Sequence, residues 1–153
     1  MTAERELRAE TTIEATPQQV WAVLSDLSRM PELSPETVRM LPLKRGGLRV
    51  GQWYLGVNRR KLVVWPTRNV VAEVEPVRRL SWDTTSSGAR WIYELEESGS
   101  GTRVVHRRPV PRQLTLLGRV FATLALGGKE DHADELEAGM ARTLDRLKAA
   151  VER

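Results

Sequence analysis

Cysteine is absent from the 153-residue chain, which excludes disulfides and thiolate metal sites and leaves the redox compartment open. Long apolar runs are missing too. The longest, residues 114–126, contains Arg119 and falls short of the roughly 20 residues a membrane-spanning helix needs. The opening MTAERELRAE has no apolar core of the signal-peptide kind, so a cytoplasmic location is expected. There is no internal repeat, no linker long enough to divide the chain, and no Gly-rich phosphate loop running into a helix. Neither Ser34-Pro35 nor Ser81 sits in a nucleophile elbow, and no nucleic-acid motif accompanies the basic residues. Covalent catalysis, nucleotide cofactors and nucleic-acid partners therefore find no support, and no cofactor is expected. Histidine occurs only at His106 and His132. His132 and Glu135 have the spacing of a helical metal pair, but nothing else completes a site. Surface ion pairing is the better reading, and no metal is expected.

What is present suits one folded domain spanning residues 1–153. Apolar residues make up 41% and charged ones 29%, enough to bury a core and too balanced for disorder. The net charge is +4, and twenty of the twenty-four basic residues are arginine. The pairs Arg59-Arg60, Arg78-Arg79 and Arg107-Arg108 are spread along the chain, as scattered solvent-facing strand residues would be.

Hydrophobic spacing sorts the chain into elements. Ala133, Leu136, Met140, Leu144, Leu147 and Val151 recur at steps of three and four, predicting an amphipathic helix over 129–153. Acidic residues (Glu130, Asp131, Asp134, Glu135) open it and basic ones (Arg142, Arg146, Lys148, Arg153) close it, which opposes the helix dipole at both ends. At about 1.5 Å per residue it is roughly 35 Å long and needs a broad partner surface. Residues 7–14 read as a strand. Thr16, Pro17 and Gln19 form a capping signature for a short helix over 17–26, and Pro31 and Pro35 confine 28–36 to a broken helical turn. Six strand-length runs follow: 37–43, 52–61, 62–75, 79–85, 89–97 and 102–108. Their loops are too short for parallel crossovers, so an antiparallel sheet is expected. Residues 112–126 have helical spacing. Such a helix would pack on the sheet edge or at a cavity mouth; lying on a membrane surface is the less favoured alternative.

This order resembles the helix-grip superfamily of START-type lipid-binding domains, pollen-allergen-like proteins and polyketide cyclases/dehydrases (SRPBCC). The carriers are Ile13-Glu14-Ala15-Thr16-Pro17 running into Val20-Trp21, then Ser34-Pro35-Glu36 and Gly56-Val57-Asn58-Arg59-Arg60. Val71-Ala72-Glu73-Val74-Glu75-Pro76, Arg90-Trp91-Ile92-Tyr93-Glu94-Leu95 and Gly101-Thr102-Arg103-Val104 continue it. Gly139-Met140, Thr143-Leu144 and Leu147-Lys148 complete it. Met30 and Leu33 stand where many relatives carry tryptophan, so the cavity mouth is expected to differ. The resemblance implies an α+β fold: a curved antiparallel sheet of about six or seven strands around a long C-terminal helix, with two short helices after strand 1. It also implies an apolar ligand cavity between sheet and helix.

In the register the resemblance implies, Tyr54, Asn58, Trp65, Thr67, Trp82, Trp91, Tyr93 and His106 face that cavity from the sheet. Leu136, Met140 and Leu144 face it from the helix. Gly56, Asn69, Val71, Leu80, Leu95, Thr102 and Val104 share the same inward sets. Hydrophobicity alone would turn Trp53, Leu55 and Val57 inward instead; the resemblance puts them outside, as a dimer contact or a surface covered by a loop. Three functions are open: binding a small hydrophobic, amphipathic or aromatic ligand; a polyketide cyclase/dehydratase-like enzyme; and a homodimeric interaction module without ligand. Binding is favoured. For the enzyme, the candidates for proton transfer are His106, Tyr93 and Glu73.

Overall fold

The computed structural model describes residues 6–85, 88–109 and 129–152, with backbone alone for 129–133. Chain order is β1 (Leu7–Ile13), α1 (Pro17–Leu24), a 3-10 turn (Leu27–Arg29), α2 (Met30–Leu33), β2 (Thr37–Pro42), β3 (Trp53–Arg60), β4 (Val63–Glu75), β5 (Arg79–Thr84), β6 (Ala89–Ser98), β7 (Gly101–Arg108) and α3 (Lys129–Glu152). The seven strands form one sheet in the order β1-β7-β6-β5-β4-β3-β2, every neighbour antiparallel. This is the expected helix-grip architecture. The helix expected over 112–126 lies outside the described residues.

Local chemistry explains the punctuation. Thr16 Oγ1 accepts from the Gln19 N–H at 3.2 Å and Gln19 Oε1 accepts from the Thr16 N–H at 2.9 Å, a complete capping box with Pro17 at the first helical position. The β3–β4 hairpin turns at Lys61-Leu62, with Lys61 at φ 58°. Pro76 and Val77 fill the centre of the β4–β5 turn, closed by the Arg78 N–H donating to the Glu75 carbonyl at 2.9 Å.

α3 runs alongside β1 and covers its open edge with side chains. The Arg8 N–H donates to Glu137 Oε2 (3.0 Å) and the Glu14 N–H to Glu152 Oε2 (2.7 Å), while Lys148 Nζ donates to the Thr12 carbonyl (2.9 Å). An edge strand that would otherwise offer bare backbone groups is thereby occupied. Met140, Leu144 and Leu147 are buried beneath the helix, and Leu136 packs beside Leu7 and Met140. The main core joins Leu144 and Leu147 to Ile13, Val20, Leu24, Leu27, Leu80 and Val104. Met30 and Leu33 belong to this core, at 3% and 1% exposure, where they pack the α2 turn against the rest.

The outer face of the sheet is held by charge. Arg79 pairs with Glu73 and Glu94, Arg107 with Glu94 and Glu6, Arg90 with Asp83, and Arg103 with Glu10. These cross-strand pairs account for much of the arginine. No helix among the described residues is long and apolar enough to cross a membrane.

Candidate functional site

Strand pairing brings the inward residues of six strands onto one surface. Tyr54 lies opposite Asn69, Gly56 opposite Thr67 and Asn58 opposite Trp65. Val71 lies opposite Trp82, Trp82 opposite Trp91, Leu80 opposite Tyr93 and Tyr93 opposite His106. Ala9 of β1 closes the row against His106. Tyr54, Gly56 and Asn58 therefore share a face with His106, and Trp53, Leu55 and Val57 lie on the other. Trp53 is covered from within the chain: Lys44 Nζ of the β2–β3 loop stands 4.7 Å from the ring and the Arg68 guanidinium 4.8 Å.

The aromatic residues form a stack. The Tyr93 and His106 rings lie 3.8 Å apart and 9° from parallel; Trp91 stacks on His106 at 5.8 Å, and Trp82 tilts against Tyr93 at 5.8 Å. His106 Nδ1 lies 2.9 Å from the Ile92 carbonyl. A carbonyl accepts only, so Nδ1 carries the proton and Nε2 is left with its lone pair. Burial lowers the His106 pKa to about 4, against a smaller opposing effect of that hydrogen bond, so the ring is neutral at physiological pH. Burial likewise pushes the Tyr93 phenol well above its ordinary value. Its hydroxyl is thus a donor, with no partner among the described residues.

Beside the stack runs a row of hydrogen-bonded polar groups. Trp91 Nε1 donates to Thr84 Oγ1 at 3.1 Å, and Thr84 Oγ1 donates to Asn69 Oδ1 at 2.7 Å. Asn69 Nδ2 and Asn58 Nδ2 both donate to Thr67 Oγ1, at 3.2 and 3.1 Å. Thr37 Oγ1 extends the row to Asn58 Oδ1 at 3.4 Å. Five neighbouring strands are linked side chain to side chain. Thr67 Oγ1 accepts twice, which leaves its own hydrogen to be donated. Gly56 makes room for this: a Cβ there would stand 2.6 Å from Thr67 Oγ1 and 2.9 Å from Asn69 Nδ2.

Two sequence-predicted residues sit elsewhere. Glu73 shares the parity of Val71, which suggested an inward base. A bulge between Val71 and Glu73 shifts the register, so Glu73 lies opposite Ser81 on the outer face, accepting from Ser81 Oγ at 3.2 Å and pairing with Arg79. That removes it as a cavity base. Glu135 pairs with Arg60 of β3, and no cluster of three or more His, Asp or Glu side chains suited to a metal occurs among the described residues.

Sequence reasoning missed three members: Thr37, Thr84 and Arg108. Arg108 follows His106 by two residues and so shares its face; it is 8% exposed. Its guanidinium stacks 5.1 Å over Trp91. Period two would have found it, had Arg107 and Arg108 been read as facing opposite ways.

The chain matches the family described as polyketide cyclase / dehydrase and lipid transport over residues 4–152. It belongs to that family. Solved relatives agree with the fold. A polyketide-cyclase-like protein from Corynebacterium glutamicum is similar at 25% identity and TM-score 0.62, over 96% of this chain and 91% of that one. The KanY protein gives 19% identity and TM-score 0.72, over 98% and 99%. The di-domain ARO/CYC StfQ from the steffimycin biosynthetic pathway gives 14% and 0.74, over 96% of this chain and 50% of that one. No curated protein matches the chain.

Proposed function

We propose that this family member binds a small hydrophobic or amphipathic molecule between the inner face of its sheet and α3. The observation that carries this is the polar row from Trp91 to Asn58. A core that only had to fill space would put aliphatic groups there, because each buried polar atom must find a partner or cost stability. Here the row is satisfied internally, and the hydroxyls of Thr67 and of nearby Tyr93 have hydrogens left to donate. Aromatic rings with a few fixed donors are the usual lining of a small-molecule site. Apolar burial, at about 25 cal/mol per Å², would supply most of the affinity.

Cyclase-type proton transfer is the weaker reading. Burial makes His106 a weak base, which a phenol or carboxylate hydrogen-bonded to it would strengthen. Tyr93 instead stacks on the imidazole face, and Glu73 lies behind the sheet. Lys44 and Arg68 cover the Trp53 ring on the outer face, so that ring is already occupied within the single chain.

Native mass spectrometry of the purified protein, followed by extraction, tests the binding reading. A bound apolar species, or uptake of an apolar anilinonaphthalene dye that His106→Trp reduces, is the expected result. Protein at its bare sequence mass that takes up no dye would overturn the proposal.

A further inference from the structure

One end of this surface holds a buried cation that lacks an ion-pair partner among the described residues. Arg108 closes β7, opposite Leu7 of β1 and beside the aromatic stack. It is 8% exposed, its Nε is buried with no hydrogen-bond partner, and it makes no ion pair among the described residues. Among the described residues its guanidinium meets the Trp91 ring, with 5.1 Å to the ring centre. The ring attracts the cation but takes the place of no in-plane acceptor, so the buried Nε–H stays available.

The neighbouring charges do not fill the gap. Arg60 is bound by Glu135. Glu36, just before β2, is the acidic group whose field reaches Arg108, yet it forms no ion pair with it. Its own carboxyl is raised by burial, which outweighs Arg60, Arg108 and Arg142 nearby. Of the three arginines near Glu36, Arg60 is held by Glu135 and Arg142 is exposed to water; Arg108 is the buried one, and it forms no ion pair among the described residues. Guanidinium stays protonated even where burial lowers it to about 10. A buried cation of this kind is stable only with an anion, and the planar fork fits a carboxylate through two parallel hydrogen bonds.

We propose that Arg108 anchors the carboxylate of an otherwise apolar ligand, whose hydrocarbon or ring portion lies along Tyr93, Trp82 and Met140. This rests on the binding function proposed above and specifies the ligand class: an apolar monocarboxylic acid. Trp91 lies against the guanidinium, and its indole N–H is already committed to Thr84. The polar row therefore fixes the ring on which the anchor rests.

The test compares dansyl-labelled undecanoic acid with its methyl ester by fluorescence titration, on the wild type, Arg108→Met and Arg108→Lys. The expected result is a preference of about tenfold or more for the acid. Arg108→Met abolishes that preference by lowering acid affinity to that of the ester, and Arg108→Lys keeps part of it, since charge survives and the fork does not. The wild-type comparison needs no variant to fold. Equal affinity for acid and ester overturns the anchor and leaves the binding site standing. Binding of neither overturns both. An acid preference that survives in Arg108→Met overturns the assignment to Arg108.

Discussion

His106 shows how one residue's surroundings become a property of the whole fold. Unfolded, its imidazole titrates near 6.5; folded, burial holds it near 4. Above pH 6.5 both states are neutral and no penalty applies. As pH falls below 6.5 the unfolded chain takes a proton that the folded chain refuses, so stability declines until about pH 4. The difference sets a loss of about 3 kcal/mol across that window. Urea denaturation at a series of pH values should show this decline in the wild type and a flatter profile in His106→Phe, which keeps an aromatic ring in the stack. Parallel profiles would contradict the buried, neutral assignment. Val77 offers a second test. It sits at φ 70°, at the second central position after Pro76, where a type II turn favours glycine and a β-branched side chain is strained. Val77→Gly should raise stability by about 1 kcal/mol, part of the relief being offset by glycine's greater freedom when unfolded. Thermal denaturation would register this as a higher midpoint.

At the scale of elements, the sequence was most legible where one signal acts alone. The stripe from Leu136 to Val151 located α3, the capping signature at Thr16 located α1, and turn residues separated the strands, because each depends on near neighbours. The face of β3 was different: Trp53, Leu55 and Val57 are the more apolar set, and composition alone turns them inward. The long side chains of Lys44 and Arg68 cover Trp53 on the outside, and their positions depend on the whole sheet. Glu73 was misplaced for a related reason, since a bulge leaves no mark in the spacing of β4. The packing of α3 is testable directly. Leu147 is fully buried among the core residues shared by helix and sheet. Leu147→Ala should cost about 2–5 kcal/mol, through lost burial and the cavity left behind. Its denaturation midpoint should fall accordingly, whereas truncating exposed Leu62 in the β3–β4 turn should change little.

Over the whole molecule, the two faces of the sheet use polar side chains for different purposes, and the sequence does not distinguish them. Outside, arginine and glutamate alternate across strands in water, where each pair contributes at most about 1 kcal/mol. Inside, Trp91, Thr84, Asn69, Thr67 and Asn58 come from four strands and meet through strand register, so no single motif announces them. If the inner row is a ligand surface, the two faces respond differently to mutation. Arg79→Gln removes the pairs to Glu73 and Glu94; it should alter stability by less than about 1 kcal/mol and leave ligand affinity unchanged. Asn69→Ala strips Thr84 of its acceptor and Thr67 of a donor in a buried setting, at a cost of about 1–3 kcal/mol in stability. It should also weaken binding, because the Thr67 hydroxyl then turns back toward the row and Trp91 loses its fixed orientation. Calorimetric unfolding with and without an apolar ligand separates the two effects. A stabilising shift on ligand addition that stays as large in Asn69→Ala as in the wild type would mean the row only braces the sheet. A shift that shrinks in Asn69→Ala and persists in Arg79→Gln would place recognition on the inner face.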